Sequence, residues 1–113
     1  MADNYTVKFL PEALNDMTEI VSSFVILSSK QGAKRIKNIF NKAAEQLRAF
    51  PYSGISVPDK KLADSGFRMI VAEDYLMLYK IFEENSEIIF YRILNGKRNY
   101  TALMNYLHSE KEI

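Results

Sequence analysis

The chain has 113 residues, 48% hydrophobic and 26% charged, with a formal net charge of +1, as expected of one soluble globular domain with a single core. The near-neutral balance does not mark a nucleic-acid binder, the lack of cysteine excludes disulfides and thiolate metal sites, and the single His108 excludes a histidine metal cluster within one chain. No apolar run approaches bilayer length and the opening MADNYTVKF lacks a secretory pattern, so a cytoplasmic protein with no membrane contact, metal or cofactor is expected.

Residues 5–10, Tyr-Thr-Val-Lys-Phe-Leu, alternate and are rich in β-formers, which predicts a first strand. Pro11 suits the first turn of a helix. Apolar residues then fall at Leu14, Met17, Val21, Phe24 and Val25, the spacing of a helix with one buried face. Ser28, Ser29 and Gly32 punctuate its end. A second helix carries Ala33, Ile36, Phe40, Ala43, Ala44 and Leu47 on one side and stops before Pro51. The two form an antiparallel hairpin. Residues 51–65 hold Pro51, Gly54 and Pro58 with no period and read as a loop.

Three strands follow near 66–72, 75–82 and 87–94, joined by turns at Glu73-Asp74 and Glu84-Asn85-Ser86. The last segment, residues 99–108, places Tyr100, Leu103, Met104 and Leu107 at helical spacing. The predicted order is β-αα-βββ-α. It is an α+β fold, a helical hairpin packed on a small, mainly antiparallel sheet with a short C-terminal helix, in one domain over residues 1–113.

Charge is unevenly spread. The second helix carries Lys30, Lys34, Arg35, Lys37, Lys42 and Arg48 against Glu45, and the first segment carries Asp3, Glu12, Asp16 and Glu19 against Lys8. The expectation is that the two helices neutralise each other across their solvent edges; contact of the basic helix with a phosphate backbone is the alternative.

Arginines on apolar strands are costly unless the charge meets solvent, a partner or an anion. A two-residue turn at Glu73-Asp74 pairs Ala72 with Tyr75 and Arg68 with Tyr79. A turn centred between Asn85 and Ser86 then sets Tyr79 opposite Arg92. Arg68, Tyr79 and Arg92 would form one row across the sheet, with Met69, Leu78 and Ile93 as the row on the other face. A slip of one residue removes Arg92 from the row. Such a row is either an anion site of two guanidinium groups and a phenol, or ordinary sheet packing with arginines reaching to the edge.

The ordered set of short motifs resembles the RelE/ParE superfamily of toxins from bacterial type II toxin–antitoxin systems, some of them labelled plasmid stabilisation proteins. The matching stretches are Leu47-Arg48-Ala49-Phe50-Pro51-Tyr52-Ser53-Gly54, Phe67-Arg68-Met69-Ile70-Val71, Tyr75-Leu76-Met77-Leu78-Tyr79-Lys80-Ile81 and Ile89-Phe90-Tyr91-Arg92-Ile93-Leu94-Asn95-Gly96-Lys97-Arg98-Asn99. The sequence departs from the family pattern at Asn95, where histidine is frequent, and at Asn99, where aspartate is. Leu76 fills a position that carries arginine in the RelE-like ribonuclease branch, and Met104 lies nearest that branch's C-terminal tyrosine. The hairpin is long, over residues 10–50. These departures tilt the resemblance toward the ParE-like branch.

The resemblance implies a toxin that stalls growth by binding DNA gyrase and is neutralised by a cognate antitoxin in a heteromeric complex. The alternatives are a RelE-like endoribonuclease acting on translated messages at the ribosome, and an inactive relic that only binds antitoxin. Arg68, Arg92 and Arg98, with Tyr79, are the residues expected to contact the target or its phosphates; Tyr106 and His108 are weaker candidates. RNA cleavage through the 2′-OH needs a proton acceptor, a proton donor and cations, and the stretch supplies cations but no persuasive proton carrier. Ile70, Met77, Ile81 and Phe90 share the Arg68 face. An acidic, amphipathic C-terminal segment of the antitoxin is expected to cover that face.

Overall fold

The computed structural model describes residues 5–27 and 30–96. The chain begins with β1 (Thr6–Phe9) and enters α1 (Pro11–Leu27) directly, with Pro11 at the first helical position, where its missing N–H costs no bond. α2 (Lys30–Ala49) then returns along α1. It starts ahead of Gly32, so that glycine lies inside the helix rather than before it. The predicted stripe of α2 is the buried one, Ala33, Ile36, Phe40, Ala43, Ala44 and Leu47. On α1 the stripe is rotated. Ala13 is fully buried, Met17, Ile20, Val21 and Phe24 pack on the core, and Leu14 is 48% exposed. The fully buried position is an alanine, too small to stand out in a pattern of bulky apolar residues. Ser28, Ser29 and the side chain of Val25 lie outside the described residues.

The meander is β3 (Phe67–Ala72), β4 (Tyr75–Phe82) and β5 (Glu87–Asn95), within a residue of its predicted limits. Its first turn closes at Glu73, with φ 57°, and its second passes through a 3₁₀ turn at Glu83–Asn85 to Ser86, with φ 50°. β1 lies parallel to β5, from Thr6↔Glu87 to Phe9↔Phe90. Residues 51–65 are more ordered than a loop. They hold a 3₁₀ turn (Pro51–Ser53), β2 (Ile55–Ser56) and α3 (Lys60–Asp64). β2 pairs antiparallel with β3, and the Asp59 carboxylate caps α3 by accepting from the Leu62 N–H at 3.0 Å. A two-residue strand and a one-turn helix are too short to leave a periodic signal.

The sheet order is β1-β5-β4-β3-β2. One face carries the hairpin: Ile36, Phe40 and Leu47 meet Ile70, Met77, Tyr79, Ile88, Phe90 and Ile93 in the main core. The other face holds a smaller cluster of Val57, Leu62, Phe67, Met69 and Leu78, partly supplied by α3 and the segment before it. This is the expected α+β arrangement, a helical hairpin on a mainly antiparallel sheet. The predicted final helix over residues 99–108 lies outside the described residues. Among the described residues no helix is long and apolar enough to cross a membrane.

Candidate functional site

The register of the meander decides which charged residues meet. The two-residue turn gives Ala72↔Tyr75 and Arg68↔Tyr79, as predicted. The next strand departs from prediction. The turn is centred between Glu84 and Asn85, which sets Tyr79 opposite Phe90, and a β-bulge between Leu78 and Tyr79 then sets Leu78 opposite Arg92. Tyr91 is the extra residue. The row therefore contains Arg68 and Tyr79 but not Arg92, and Ile93 lies opposite Met77 rather than beside Leu78. The bulge changes the parity of β5, so that Ile88, Phe90 and Ile93 all reach the main core.

Arg68 serves the chain around the 3₁₀ turn. Its Nη2 donates to the carbonyls of Tyr52 (3.1 Å) and Gly54 (2.8 Å), and its guanidinium carbon lies 5.3 Å from the centre of the Tyr52 ring. Its Nε is a buried donor with no partner among the described residues. Tyr79 is fully buried, and its hydroxyl donates to the Pro51 carbonyl at 2.9 Å. A β-carbon on Gly54 would lie 2.5 Å from the Tyr79 hydroxyl oxygen and 2.6 Å from the Met69 carbonyl oxygen, so only glycine fits there. Arg68, Tyr79 and Gly54 together hold the exit from α2 against β3. Tyr52 extends this group to the surface. Its hydroxyl donates to the Glu83 carboxylate, which pushes the phenol above its usual value of 10.0, with desolvation adding to the rise.

Arg92 has a different partner, one the sequence reading did not pick out. Its Nε and Nη2 donate to the Asp16 carboxylate at 2.7 and 3.1 Å, and the Ile93 N–H donates to the same carboxylate at 2.9 Å. Side-chain exposure is 21% for Arg92 and 11% for Asp16. The pair ties α1 to β5. A signal was available: Asp16 sits three residues from Ala13 and four from Ile20, an acid at the margin of an apolar stripe.

Ile70, Met77 and Phe90 are buried and Ile81 is partly buried; all four belong to the core beneath the hairpin. They do not form an open face for an antitoxin, because the face shared with Arg68 is the one the hairpin covers. The helices also do not neutralise one another as expected. Among the described residues α2 forms the ion pairs Arg35–Glu73 at 3.1 Å, to the β3–β4 turn, and Arg48–Glu45 at 3.6 Å, within the helix. Lys30, Lys34, Lys37 and Lys42 have no carboxylate partner among the described residues. Arg98, Tyr106 and His108 lie outside the described residues.

The fold, a helical hairpin laid across a sheet, is similar to that of solved toxin–antitoxin components. The chain is similar to a chain of the chromosomal ParDE system of P. aeruginosa, at 18% identity and a TM-score of 0.66, covering 83% of this chain and 98% of that one. It is also similar to a chain of the toxin–antitoxin complex RelBE2 of Mycobacterium tuberculosis, at 22% identity and a TM-score of 0.58, covering 84% and 94%. No curated protein matches significantly. The model of the family described as ParE toxin of type II toxin-antitoxin system, parDE, matches residues 7–100, and the chain belongs to that family.

Proposed function

We propose that this toxin acts by binding rather than by chemistry, with DNA gyrase as its target and a cognate antitoxin as its inhibitor. The observation that carries this reading is the engagement of those would-be catalytic groups that lie among the described residues. Arg68 is held by two carbonyls, Arg92 by the Asp16 carboxylate, and Tyr79 is buried with its hydroxyl donating to the Pro51 carbonyl. A ribonuclease would present such groups to a phosphate and a 2′-OH. Membership of the ParE family supports the same side of the superfamily, whose characterised members inhibit gyrase.

The test is expression from a tightly closed promoter, with gyrase supercoiling assayed beside the mapping of cellular RNA ends. Blocked supercoiling with intact RNA is the expected result. New cleavage within translated messages at normal supercoiling would overturn it in favour of the endoribonuclease. Undisturbed growth with both readouts unchanged would leave a chain that only binds antitoxin.

A further inference from the structure

α2 carries six of the chain's fifteen basic residues and one of its fourteen acids, so a net charge of +1 conceals a strongly cationic helix. The fold sorts these charges by side. Arg35 turns to Glu73 at 3.1 Å, and Arg48 is answered by Glu45 at 3.6 Å. Lys42 lies with Glu73 along the groove beside β3. Lys30, Lys34 and Lys37 lie on the other flank, with Val21 of α1 and Ala33, around an open cavity of about 420 Å³. Their spacing of four and then three residues keeps them within about 60° of one another around the helix. All three are exposed, and none has a carboxylate partner among the described residues.

The acids of α1 are turned away from this flank. Asp16 and Glu19 line a separate cavity with Tyr75, Ile93 and Asn95, and Asp16 is taken by Arg92. Like charges one turn apart on a helix repel, so the lysine row gains when a row of anions meets it. The kind of anion follows from the side chains around the row. Its exposed neighbours on α2 are Gln31, Asn38 and Asn41, with no large apolar group to enter a bilayer. Phe40, the one aromatic residue of α2, is buried in the core, so no ring offers a platform for unpaired bases. Lysines that hold a register on phosphates need neither. From Lys30 to Lys37 the helix rises about 10 Å, or about three phosphate steps along one strand of a duplex.

We infer that the Lys30–Lys34–Lys37 flank of α2 rests on the phosphate backbone of duplex DNA, independently of its sequence. The inference rests on the reading that the target is gyrase, whose own substrate is duplex DNA, and adds a direct contact between toxin and duplex.

The test is fluorescence anisotropy of a short labelled duplex titrated with the full chain. Three phosphate contacts predict a slope of log K against log salt near about −2.7, a loss of roughly 40-fold between 50 and 200 mM. Lys30→Gln, Lys34→Gln and Lys37→Gln should each lower that slope by about 0.9, and the triple variant should bind about tenfold or more weaker at 50 mM salt. These are surface changes, and matching thermal melts check that the fold is kept. Lys42→Gln, across the helix, should alter neither slope nor affinity. A duplex of unrelated sequence should bind within about twofold. No binding at 50 mM salt, a slope untouched by the triple variant, or an equal loss from Lys42→Gln would overturn the inference. So would tighter binding to single-stranded DNA or duplex RNA, or binding to phosphatidylserine vesicles without binding to duplex DNA. Gyrase supercoiling is measured separately with the wild type. Blocked supercoiling without duplex binding would overturn this contact alone. Lysine-dependent duplex binding at normal supercoiling would remove gyrase as the target and leave the contact standing.

Discussion

The Asp16–Arg92 pair offers a quantitative test, because it separates a structural arginine from one that meets a target. The carboxylate accepts two bonds from the guanidinium and one from the Ile93 N–H. Arg92→Met removes both charge-assisted bonds and leaves a mostly buried carboxylate with a single donor. The expected cost is about 3 kcal/mol, at the low end for a buried pair because part of Arg92 reaches solvent. Asp16→Asn keeps one oxygen for the Ile93 N–H and Arg92 Nε but loses the charge and turns an NH2 toward Arg92 Nη2, for about 1.5 kcal/mol. In the double variant neither charge is stranded, so the loss should be about 2 kcal/mol rather than the additive sum. Urea melts of the four proteins measure the coupling, expected at about 2 kcal/mol or more. A coupling below about 0.5 kcal/mol would mean that the two groups act independently, and would refute the reasoning. Growth arrest on expression adds the functional arm. If Arg92 is structural, the double variant regains toxicity relative to Arg92→Met alone. If it contacts the target, toxicity stays lost while stability recovers.

Gly54→Ala should cost about 2 kcal/mol, because its β-carbon would strike the Met69 carbonyl as well as the Tyr79 hydroxyl; an unchanged melting temperature would count against that packing. Arg68→Ala should remove two carbonyl bonds and cost about 2 kcal/mol, with faster hydrogen exchange confined to residues 51–56 as the local sign. Ser86→Gly relieves a left-handed backbone at φ 50° and should stabilise by about 0.5 kcal/mol; a lower melting temperature would contradict it. Because the Tyr52 phenol is raised in the fold, the stability it contributes is intact below pH 10.0 and is lost as pH rises through the raised value. Glu83→Gln should bring its ionisation, followed by phenolate absorbance, back toward 10.0.

Elements with a clear period were legible in the sequence. α2 buries the stripe its spacing indicated, and the meander strands begin and end within a residue of expectation. The Arg68↔Tyr79 pairing also followed, because a two-residue turn leaves only one register. What failed was the parity of β5. The turn is centred one residue earlier than expected, which puts Phe90 rather than Arg92 opposite Tyr79, and a bulge, which inserts one residue without altering the local composition, then moves Arg92 off that face. The apolar face beside Arg68 was read correctly as one face, yet assigned to a partner when the hairpin was already its cover. The arginines were expected to face something negative. Arg92 does, but the carboxylate belongs to the chain itself, on a helix that buries Met17, Val21 and Phe24 as its spacing indicated and Ala13 in place of Leu14.

The parallel pairing of β1 with β5 bears on when this toxin can exist. Thr6 is made well before Glu87, its partner in the sheet. At typical synthesis rates the intervening chain takes roughly 4–16 s to make. Until then the first strand has no neighbour, and Asp16 has neither Arg92 nor the Ile93 amide to bind. The helical hairpin emerges long before the last two strands it must rest on. The fold is thereby completed only once β5 has been made, which gives each newly made chain an interval in which β1 and Asp16 wait for their partners.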